Sequence, residues 1–350
     1  MQPVAINGRP IGPGHPMYVI AEISANHAGR LDRAEELVRA AAEAGADAAK
    51  LQTYTADSMT LDSSEAPFRV GDEMLWAGRT LYDLYDEAHT PWEWHARLRD
   101  VAREVGIDLF SSPFDQAAVD FLVKLDVPAM KIASFELVDL PLIRAAAATG
   151  RPLIMSTGMA TAEEIDEAVV AANGAGAVGI VLLRCNSAYP APAAEMDLRT
   201  IPDMIDRWAL PVGFSDHTLG TTAAVTAVAL GASVLEKHIT WSRAEDTADA
   251  AFSLEPAEFA ELVRQVHEAE ASLGGVRYGP SDRERPSLQY RRSLFVTHDV
   301  RAGDVFNREN VRAIRPGHGL APKELDRVLG RRAAKDIERG TPLSWELVGD

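Results

Sequence analysis

The sequence predicts an α/β fold: a (β/α)8 TIM barrel followed by a small C-terminal domain. Short apolar segments alternate eight times with helical patterns between residues 18 and 273, as in parallel strands joined by helices. Eight such units in about 275 residues match the length of a barrel. A segment rich in glycine, proline and charge at 274–286 then leads into short strands and turns.

An open, doubly wound sheet is the alternative arrangement of the same units. Its dinucleotide-binding form would need the pattern Gly-x-Gly-x-x-Gly after the first strand. Residues 23–27 read Ile-Ser-Ala-Asn-His instead, so the sequence favours the barrel.

The predicted elements follow one another in a regular order. Strands are predicted where apolar residues run together, at 18–23, 48–51, 108–111, 129–133, 153–156, 179–183, 212–215 and 234–238. Helices are predicted where apolar residues recur at helical spacing, from 32 to about 45 and at 92–105, 116–125, 141–149, 162–173, 198–208, 221–230 and 256–273. A long polar segment separates the second strand from the helix at 92–105. The domain limits that follow are 1–275 for the barrel, 276–289 for a linker and 290–350 for the second domain.

Composition and charge narrow the class of protein. Of the 350 residues, 47% are hydrophobic and 25% are charged, which is typical of a globular chain rather than a disordered or fibrous one. The net charge of −17 argues against broad binding to nucleic acid or to an anionic membrane. The charge is unevenly spread, with +3 on residues 281–350 and −20 on the first 280, and a site can still be locally positive.

The sequence also indicates the compartment. Residues 1–16 lack the apolar stretch of a signal peptide, and no run of about 18 apolar residues could cross a membrane. The only cysteine, Cys185, excludes an intrachain disulfide and a cysteine-cluster metal site. We expect a cytoplasmic protein. Because Cys185 follows an apolar strand and lacks an evident base partner, we expect it to be buried rather than nucleophilic.

Polar side chains follow almost every predicted strand. The carboxyl ends of the strands surround the active site in a barrel of this kind, so we expect these side chains to meet there. For Ser156 and Ser215, capping of the next helix is a competing interpretation. The set comprises Glu22, Lys50, Gln52, Ser111, Ser112, Lys131, Ser134, Glu136, Ser156, Thr157, Asn186, Ser187, Tyr189, Ser215, Asp216, His217, Glu236, Lys237 and His238.

Lysines are rare in this chain, which has six. Lys50 and Lys131 fall at strand ends within the acidic barrel, where an ammonium group and neighbouring hydroxyls can bind a phosphate. The competing interpretation is an interior salt bridge of these lysines with Glu22 or Glu136.

Two histidines, His217 and His238, follow neighbouring strands. Two imidazoles and a carboxylate suit a divalent ion such as Mn²⁺ or Mg²⁺. The alternative is a pair of histidines that are hydrogen-bonded within the barrel mouth.

Eight motifs resemble the sialic acid synthases, in the same order and over nearly the whole chain. The last 60 residues, which include Ile314-Arg315-Pro316-Gly317, resemble the family's small antifreeze-like (SAF) domain. The barrel motifs are Ala21-Glu22-Ile23-Ser24-Ala25-Asn26-His27, Lys50-Leu51-Gln52-Thr53, Phe110-Ser111-Ser112-Pro113-Phe114-Asp115, Lys131-Ile132-Ala133-Ser134, Ser156-Thr157-Gly158-Met159, Ser187-Ala188-Tyr189-Pro190, Ser215-Asp216-His217-Thr218 and Glu236-Lys237-His238.

The resemblance implies a transferase that condenses phosphoenolpyruvate with an open-chain amino-sugar aldehyde and releases phosphate. By the family pattern, His217 and His238 would bind Mn²⁺ or Mg²⁺, and Glu22 would position or deprotonate the attacking water. Arg315 would reach the sugar from the second subunit of a domain-swapped homodimer. The phosphoenolpyruvate contacts would be Lys50, Lys131, Ser134, Ser156, Ser187 and Ser215, and the remaining sugar contacts would be Gln52, Glu136, Tyr189 and Asp249.

Within the family, residues 54–60 and 89–95 look most like the pseudaminic acid synthases, whose sugar is 2,4-diacetamido-2,4,6-trideoxy-L-altrose. The loop 243–249 keeps the spacing to Asp249 but lacks the glycines common in the family. The alternatives are therefore an N-acetylneuraminate synthase using N-acetylmannosamine and a legionaminate synthase using 2,4-diacetamido-2,4,6-trideoxymannose.

Two rivals come from other classes. A metal-dependent aldolase that uses pyruvate would need no phosphate site. A non-catalytic sugar-binding or ice-binding-like protein is suggested only by the small domain, and the polar residues at the barrel mouth argue against it.

Overall fold

The chain begins with an antiparallel hairpin that the sequence prediction did not include. Strands β1 (Val4–Ile6) and β2 (Arg9–Ile11) are joined by Asn7 and Gly8, whose φ angles of 47° and 80° suit a type I′ turn. Val4 packs against Gly179, where an added Cβ would lie 2.7 Å from a Val4 methyl group. Because Gly179 directly precedes a barrel strand, the hairpin lies at the amino end of the barrel.

Eight parallel strands close into a barrel in chain order, with the last strand paired to the first. This arrangement confirms the predicted TIM barrel. Nearly every strand residue is buried, because one strand face lines the barrel interior and the other contacts the helices. The strands are β3 (Tyr18–Glu22), β4 (Ala48–Thr53), β5 (Asp108–Pro113), β6 (Met130–Ile132), β7 (Leu153–Ser156), β8 (Ile180–Cys185), β9 (Val212–Asp216) and β10 (Val234–His238).

Helices follow each barrel strand. Asp115 and Asp139 cap two of them by accepting a backbone N–H, and Thr161 caps a third with Glu164 in a capping box. The helices are α1 (Leu31–Glu43), α2 (Ala56–Met59), α3 (Leu81–Ala88), α4 (His95–Val105), α5 (Gln116–Leu125), α6 (Leu140–Ala147), α7 (Ala162–Gly174), α8 (Thr200–Trp208), α9 (Thr222–Ala229) and α10 (Pro256–Leu273).

The computed structural model describes residues 2–71 and 76–350. The segment between β4 and α4 contains the short helices α2 and α3, which were not predicted from the sequence. None of the helices in the described ranges is long and apolar enough to cross a membrane.

The described residues fall into two compact units, divided between Gly274 and Gly275. The second unit contains the antiparallel strands β11 (Ser293–Val296) and β12 (Val311–Ile314) and the one-turn helix α11 (Leu325–Val328). It has its own apolar core, which includes Leu294, Phe306 and Leu343. The segment 276–289, predicted as the linker, includes part of a 3-10 helix at Arg285–Tyr290.

Candidate active site at the barrel mouth

Two lysines and two glutamates meet inside the barrel mouth, and all four are nearly fully buried. The Lys50 Nζ lies 2.6 Å from Glu22 Oε2 and 3.7 Å from Glu236 Oε2. The Lys131 Nζ lies 3.8 Å from Glu236 Oε1 and donates to the Ile132 carbonyl at 3.1 Å. The interior salt bridge considered for Lys50 is therefore present. We call Glu22, Lys50, Lys131 and Glu236 the buried charge cluster.

Glu236 was predicted at the barrel mouth but without a role of its own, and it contacts both lysines. Successive side chains of a strand point to opposite faces, so Glu236 and His238 share one face of β10. Lys237 points to the opposite face of β10, where its Nζ donates to Asp216 Oδ2 at 2.8 Å. This two-residue alternation was the signal that could have separated Glu236, which faces the site, from Lys237, which does not.

Burial and charge act against each other within the buried charge cluster. Burial tends to lower the pKa of Lys50, but the carboxylates of Glu22 and Glu236 outweigh it and raise that pKa. Burial tends to raise the pKa of Glu236, but Lys131 and Lys50 hold it below its usual range. For Glu22, burial dominates and raises the pKa. Glu22 is therefore the carboxyl of the cluster that takes up a proton more readily.

Three of the predicted serines lie close to the buried charge cluster or to one another. The Gly158 N–H donates to Ser134 Oγ at 3.1 Å, and a Cβ on Gly158 would lie 2.3 Å from Ser187 Oγ. Ser215 Oγ donates to Glu236 Oε1 at 3.2 Å. Ser215 thus contacts the buried charge cluster, whereas Ser134 and Ser187 lie beside Gly158.

The capping interpretation of Ser156 and Ser215 is wrong. Thr161 caps α7, and Thr221 holds the N-cap position of α9. Ser156 Oγ is buried and has no hydrogen-bond partner among the described residues. Since a buried hydroxyl without a partner is costly, it is available to a ligand.

The two predicted metal ligands face each other, with ring centres 5.4 Å apart. His217 Nδ1 lies 2.8 Å from the Asn186 carbonyl and donates to it, so in the neutral ring the lone pair is on Nε2. His238 Nδ1 has no hydrogen-bond partner among the described residues and lies 3.8 Å from Asp249 Oδ2. Burial holds the pKa of His238 well below its usual range and so favours the neutral form that binds metals.

This donor set fits a metal that is completed from outside the protein. Within residues 2–71 and 76–350, no group of three or more His, Cys, Asp or Glu side chains is arranged to hold a metal ion. Two imidazoles would therefore need water or substrate oxygens as further ligands, which Mn²⁺ and Mg²⁺ accept.

Cys185 is buried, as expected, but it has a histidine neighbour that the sequence did not reveal. Its Sγ lies 3.8 Å from His217 Nδ1. Burial alone would raise the pKa of the thiol, yet the contact with His217 outweighs it and lowers that pKa to about 7.

The predicted sugar contacts are distributed over both units. Gln52 donates to Glu22 Oε1 at 3.0 Å, and the Tyr189 ring centre lies 4.5 Å from that of His217. Glu136 is half-buried, and burial raises its pKa to about 7. Asp249 lies beside His238, whereas Arg315 belongs to the second unit and is exposed there.

An open cavity of about 830 Å³ adjoins these groups on the β7 and β8 side of the barrel mouth. Its lining combines Ser187 and Cys185 with the larger side chains of Trp76, Met159 and Tyr189. The barrel mouth can therefore hold a polar ligand that is larger than a phosphate ion.

Comparison with known proteins decides the family. Residues 37–278 match the NeuB family, and residues 291–348 match the SAF domain. The chain belongs to the NeuB family. The SAF match confirms the resemblance of the C-terminal residues to that domain.

NeuB relatives match this chain over most of its length. It is 41% identical to the pseudaminic acid synthase of Campylobacter jejuni, over 93% of this chain and 95% of that one. It is 36% identical to the N,N'-diacetyllegionaminic acid synthase of Legionella pneumophila, over 98% of each chain. The crystal structure of the N-acetylneuraminic acid synthetase of Leptospira borgpetersenii in complex with citrate has a TM-score of 0.74 at 30% identity, covering 83% of this chain and 96% of that one. This NeuB-family chain is accordingly an enzyme of the transferase type.

Proposed function

We propose that this NeuB-family enzyme is a pseudaminic acid synthase. It condenses phosphoenolpyruvate with 2,4-diacetamido-2,4,6-trideoxy-L-altrose and releases a nonulosonic acid and phosphate. The observation that carries the proposal is the pair of buried lysines at the mouth of an acidic barrel, where Lys50 Nζ also donates to Ser112 Oγ at 3.4 Å. The 41% identity to the Campylobacter jejuni enzyme supports the choice of sugar.

Phosphoenolpyruvate supplies the negative charge that the buried charge cluster can accept. Lys131 has spare donors, because its ammonium bonds only the Ile132 carbonyl among the described residues and lies 3.8 Å from Glu236. Ser156 Oγ has no hydrogen-bond partner among the described residues. Lys50, Lys131, Ser134, Ser156, Ser187 and Ser215 would hold the phosphate and the carboxylate.

Glu22 is suited to handle the proton of the attacking water. Gln52 orients its carboxylate through Oε1, and burial raises its pKa. An anion bound beside Lys50 would weaken the hold of that lysine on Glu22 and raise the pKa of Glu22 further. C3 of phosphoenolpyruvate bonds to the aldehyde carbon and water adds at C2, while Glu22 accepts a proton from the water and the aldehyde oxygen gains one. The C2–O bond to phosphate then breaks, the C2 hydroxyl becomes the carbonyl of the sugar acid, and its proton leaves with the phosphate.

His217 and His238 would hold Mn²⁺ or Mg²⁺. When bound there, the ion supplies Lewis acidity that polarises the sugar aldehyde. Gln52, Glu136, Tyr189 and Asp249 would contact the sugar, and Arg315 would reach it from the partner subunit of a domain-swapped homodimer in the cytoplasm.

A sugar panel tests the assignment. The enzyme is incubated with phosphoenolpyruvate, Mn²⁺ and one sugar at a time, and phosphate release is measured. We expect release with the altrose sugar. Release only with N-acetylmannosamine or with the 2,4-diacetamido-mannose isomer would replace the proposal with the neuraminate or legionaminate reaction.

The metal requirement is tested by chelation and by His238→Ala. We expect EDTA to abolish activity and added Mn²⁺ to restore it. The variant should lose most of its Mn²⁺ affinity, measured by electron paramagnetic resonance of the free ion. Full activity after EDTA treatment, or unchanged Mn²⁺ binding by the variant, would remove the metal from the proposal.

Inhibition kinetics separate the proposed reaction from a pyruvate aldolase. Inorganic phosphate should compete with phosphoenolpyruvate, because both occupy the lysine site. An enzyme that uses pyruvate and ignores phosphate would be an aldolase.

A further inference from the structure

The loop that carries Asp249 joins β10 to α10 and covers residues 239–255. Two backbone hydrogen bonds close its ends, from the Thr240 N–H to the Leu254 carbonyl at 2.9 Å and from the Leu254 N–H to the His238 carbonyl at 3.0 Å. Between these ends, the backbone-to-backbone hydrogen bonds among the described residues stay inside the loop. Side chains must therefore attach the rest of the loop to the barrel.

Asn26, in the 3-10 helix Ser24–His27 that follows β3, makes a buried attachment of this kind. Its Nδ2 donates to the Ile239 carbonyl and to Ser253 Oγ, both at 2.9 Å, and its Oδ1 accepts from Thr247 Oγ1 at 2.8 Å. A carbonyl can only accept, so the contact with Ile239 fixes which end of the amide is Nδ2. One amide thus holds the beginning, the middle and the end of the loop.

The contacts around this amide also fix Asp249 beside His238. The hydroxyl of Ser253 donates to the Asp249 carbonyl at 2.6 Å. Burial raises the pKa of the Asp249 carboxyl, and hydrogen bonding to Ser24 and to the Ala25 N–H opposes that rise. The carboxyl lies 3.8 Å from His238 Nδ1. Both the main chain and the carboxyl of Asp249 are therefore held at the 3-10 helix that contains the amide.

We propose that Asn26 and Thr247 are positioning residues that hold the Asp249 carboxyl where the sugar binds. This inference rests on the proposed function, in which Asp249 contacts the sugar. None of the proposed phosphoenolpyruvate contacts lies within residues 239–255. Loss of the bond between Thr247 and Asn26 should therefore weaken the binding of the sugar and leave the binding of phosphoenolpyruvate unchanged. A general loss of stability would not produce that difference.

Thr247→Val removes the hydroxyl and keeps the shape of the side chain. The buried Oδ1 of Asn26 then lacks its partner, which favours loop conformations that expose Oδ1 to water. We expect KM for the sugar to rise about five- to tenfold, the equivalent of one hydrogen bond, and KM for phosphoenolpyruvate to stay within about twofold. Thr247→Ser keeps the hydroxyl and should restore KM for the sugar. Thr226→Val is the matched control, because that hydroxyl donates to the Thr222 carbonyl at an exposed position of α9.

Amide hydrogen exchange provides a second measurement, which needs no substrate. Exchange at residues 246–253 should be faster in Thr247→Val than in the unmodified enzyme or in Thr247→Ser. An equal rise of both KM values, a rise in Thr247→Ser as large as in Thr247→Val, or unchanged exchange in Thr247→Val would overturn the inference.

The two proposals fail in different ways. If the altrose sugar releases no phosphate but another sugar of the panel does, the proposed sugar is wrong and the KM comparison is made with the other sugar. If no sugar releases phosphate, the proposed function fails and the exchange experiment decides the inference. Faster exchange in Thr247→Val that returns to normal in Thr247→Ser would support the hold on Asp249, and unchanged exchange would overturn it.

Discussion

At the scale of single residues, Gly158 is the position with least room in the site. A Cβ there would lie 2.3 Å from Ser187 Oγ, 2.7 Å from Ser134 Oγ and 3.1 Å from Ser134 Cβ. Gly158→Ala should therefore displace both hydroxyls and raise KM for phosphoenolpyruvate at least about tenfold, equivalent to about one strong hydrogen bond. Steady-state kinetics with saturating sugar measures this effect.

Gly174→Ala is the matched control, because a Cβ on Gly174 would contact nothing within 4 Å. That variant should keep KM and gain slightly in stability, since alanine is the better helix former. An unchanged KM in Gly158→Ala would show that the two serines do not bind phosphoenolpyruvate.

Glu136 gives a pH-dependent prediction. Burial raises its pKa from 4.5 to about 7 in the folded state. Ionisation above that pH therefore opposes folding, and the stability present below pH 4.5 is lost as the pH rises through 7. Glu136→Gln should raise the free energy of unfolding at pH 8 by about 2 kcal/mol, after allowance for partial exposure, and should change it little at pH 4.5. Urea unfolding at the two pH values measures the difference, and an equal effect at both would contradict the raised pKa.

The sequence could predict the composition of the site better than its pairing. Strand ends located Glu22, Lys50, Lys131 and the histidines, because parallel strands share one carboxyl end. The contact of Glu236 with both lysines depends on which strands lie opposite each other across the barrel, and a linear pattern does not reveal that.

At the scale of elements, the buried pair of Lys237 and Asp216 ties β10 to the end of β9. Both side chains are fully buried, Lys237 donates to the Thr218 carbonyl, and Asp216 Oδ1 accepts the Thr218 N–H at 2.8 Å. Lys237→Met leaves Asp216 charged and unpaired, so it should lower the free energy of unfolding by about 3–5 kcal/mol. Denaturant unfolding measures the loss.

A double variant tests whether the unpaired charge of Asp216 causes the loss of stability. Adding Asp216→Asn to Lys237→Met removes the buried charge and keeps an acceptor for Thr218, so it should recover part of the lost stability. Removal of the exposed ion pair of Arg264 and Glu268 by Arg264→Met should cost much less stability, because solvent screens that pair. If the double variant were no more stable than Lys237→Met, the uncompensated charge would not be the cause.

The elements of the barrel were predictable because long apolar strands and amphipathic helices have strong periodic patterns. The hairpin β1–β2 was missed although Asn7-Gly8 between apolar residues is a type I′ signal. Its strands have three residues each, too few to establish an alternation. The four-residue helix α2 was missed for the same reason.

At the scale of the whole molecule, the net charge does not indicate the charge of the residues at the site. The barrel sequence is strongly acidic, yet its mouth holds two of the chain's six lysines. Net charge therefore describes the solvent-facing surface and not the substrate. The central claim is that phosphoenolpyruvate bound at this mouth loses its phosphate by cleavage of the C2–O bond.

Phosphoenolpyruvate labelled with ¹⁸O in the oxygen that bridges C2 and phosphorus tests this claim most directly. The labelled substrate is converted with the altrose sugar, and both products are analysed by mass spectrometry. The label is expected in the released phosphate, with solvent oxygen at C2 of the sugar acid. Label retained in the sugar acid, with solvent oxygen in the phosphate, would mean that the P–O bond breaks instead and would contradict the account.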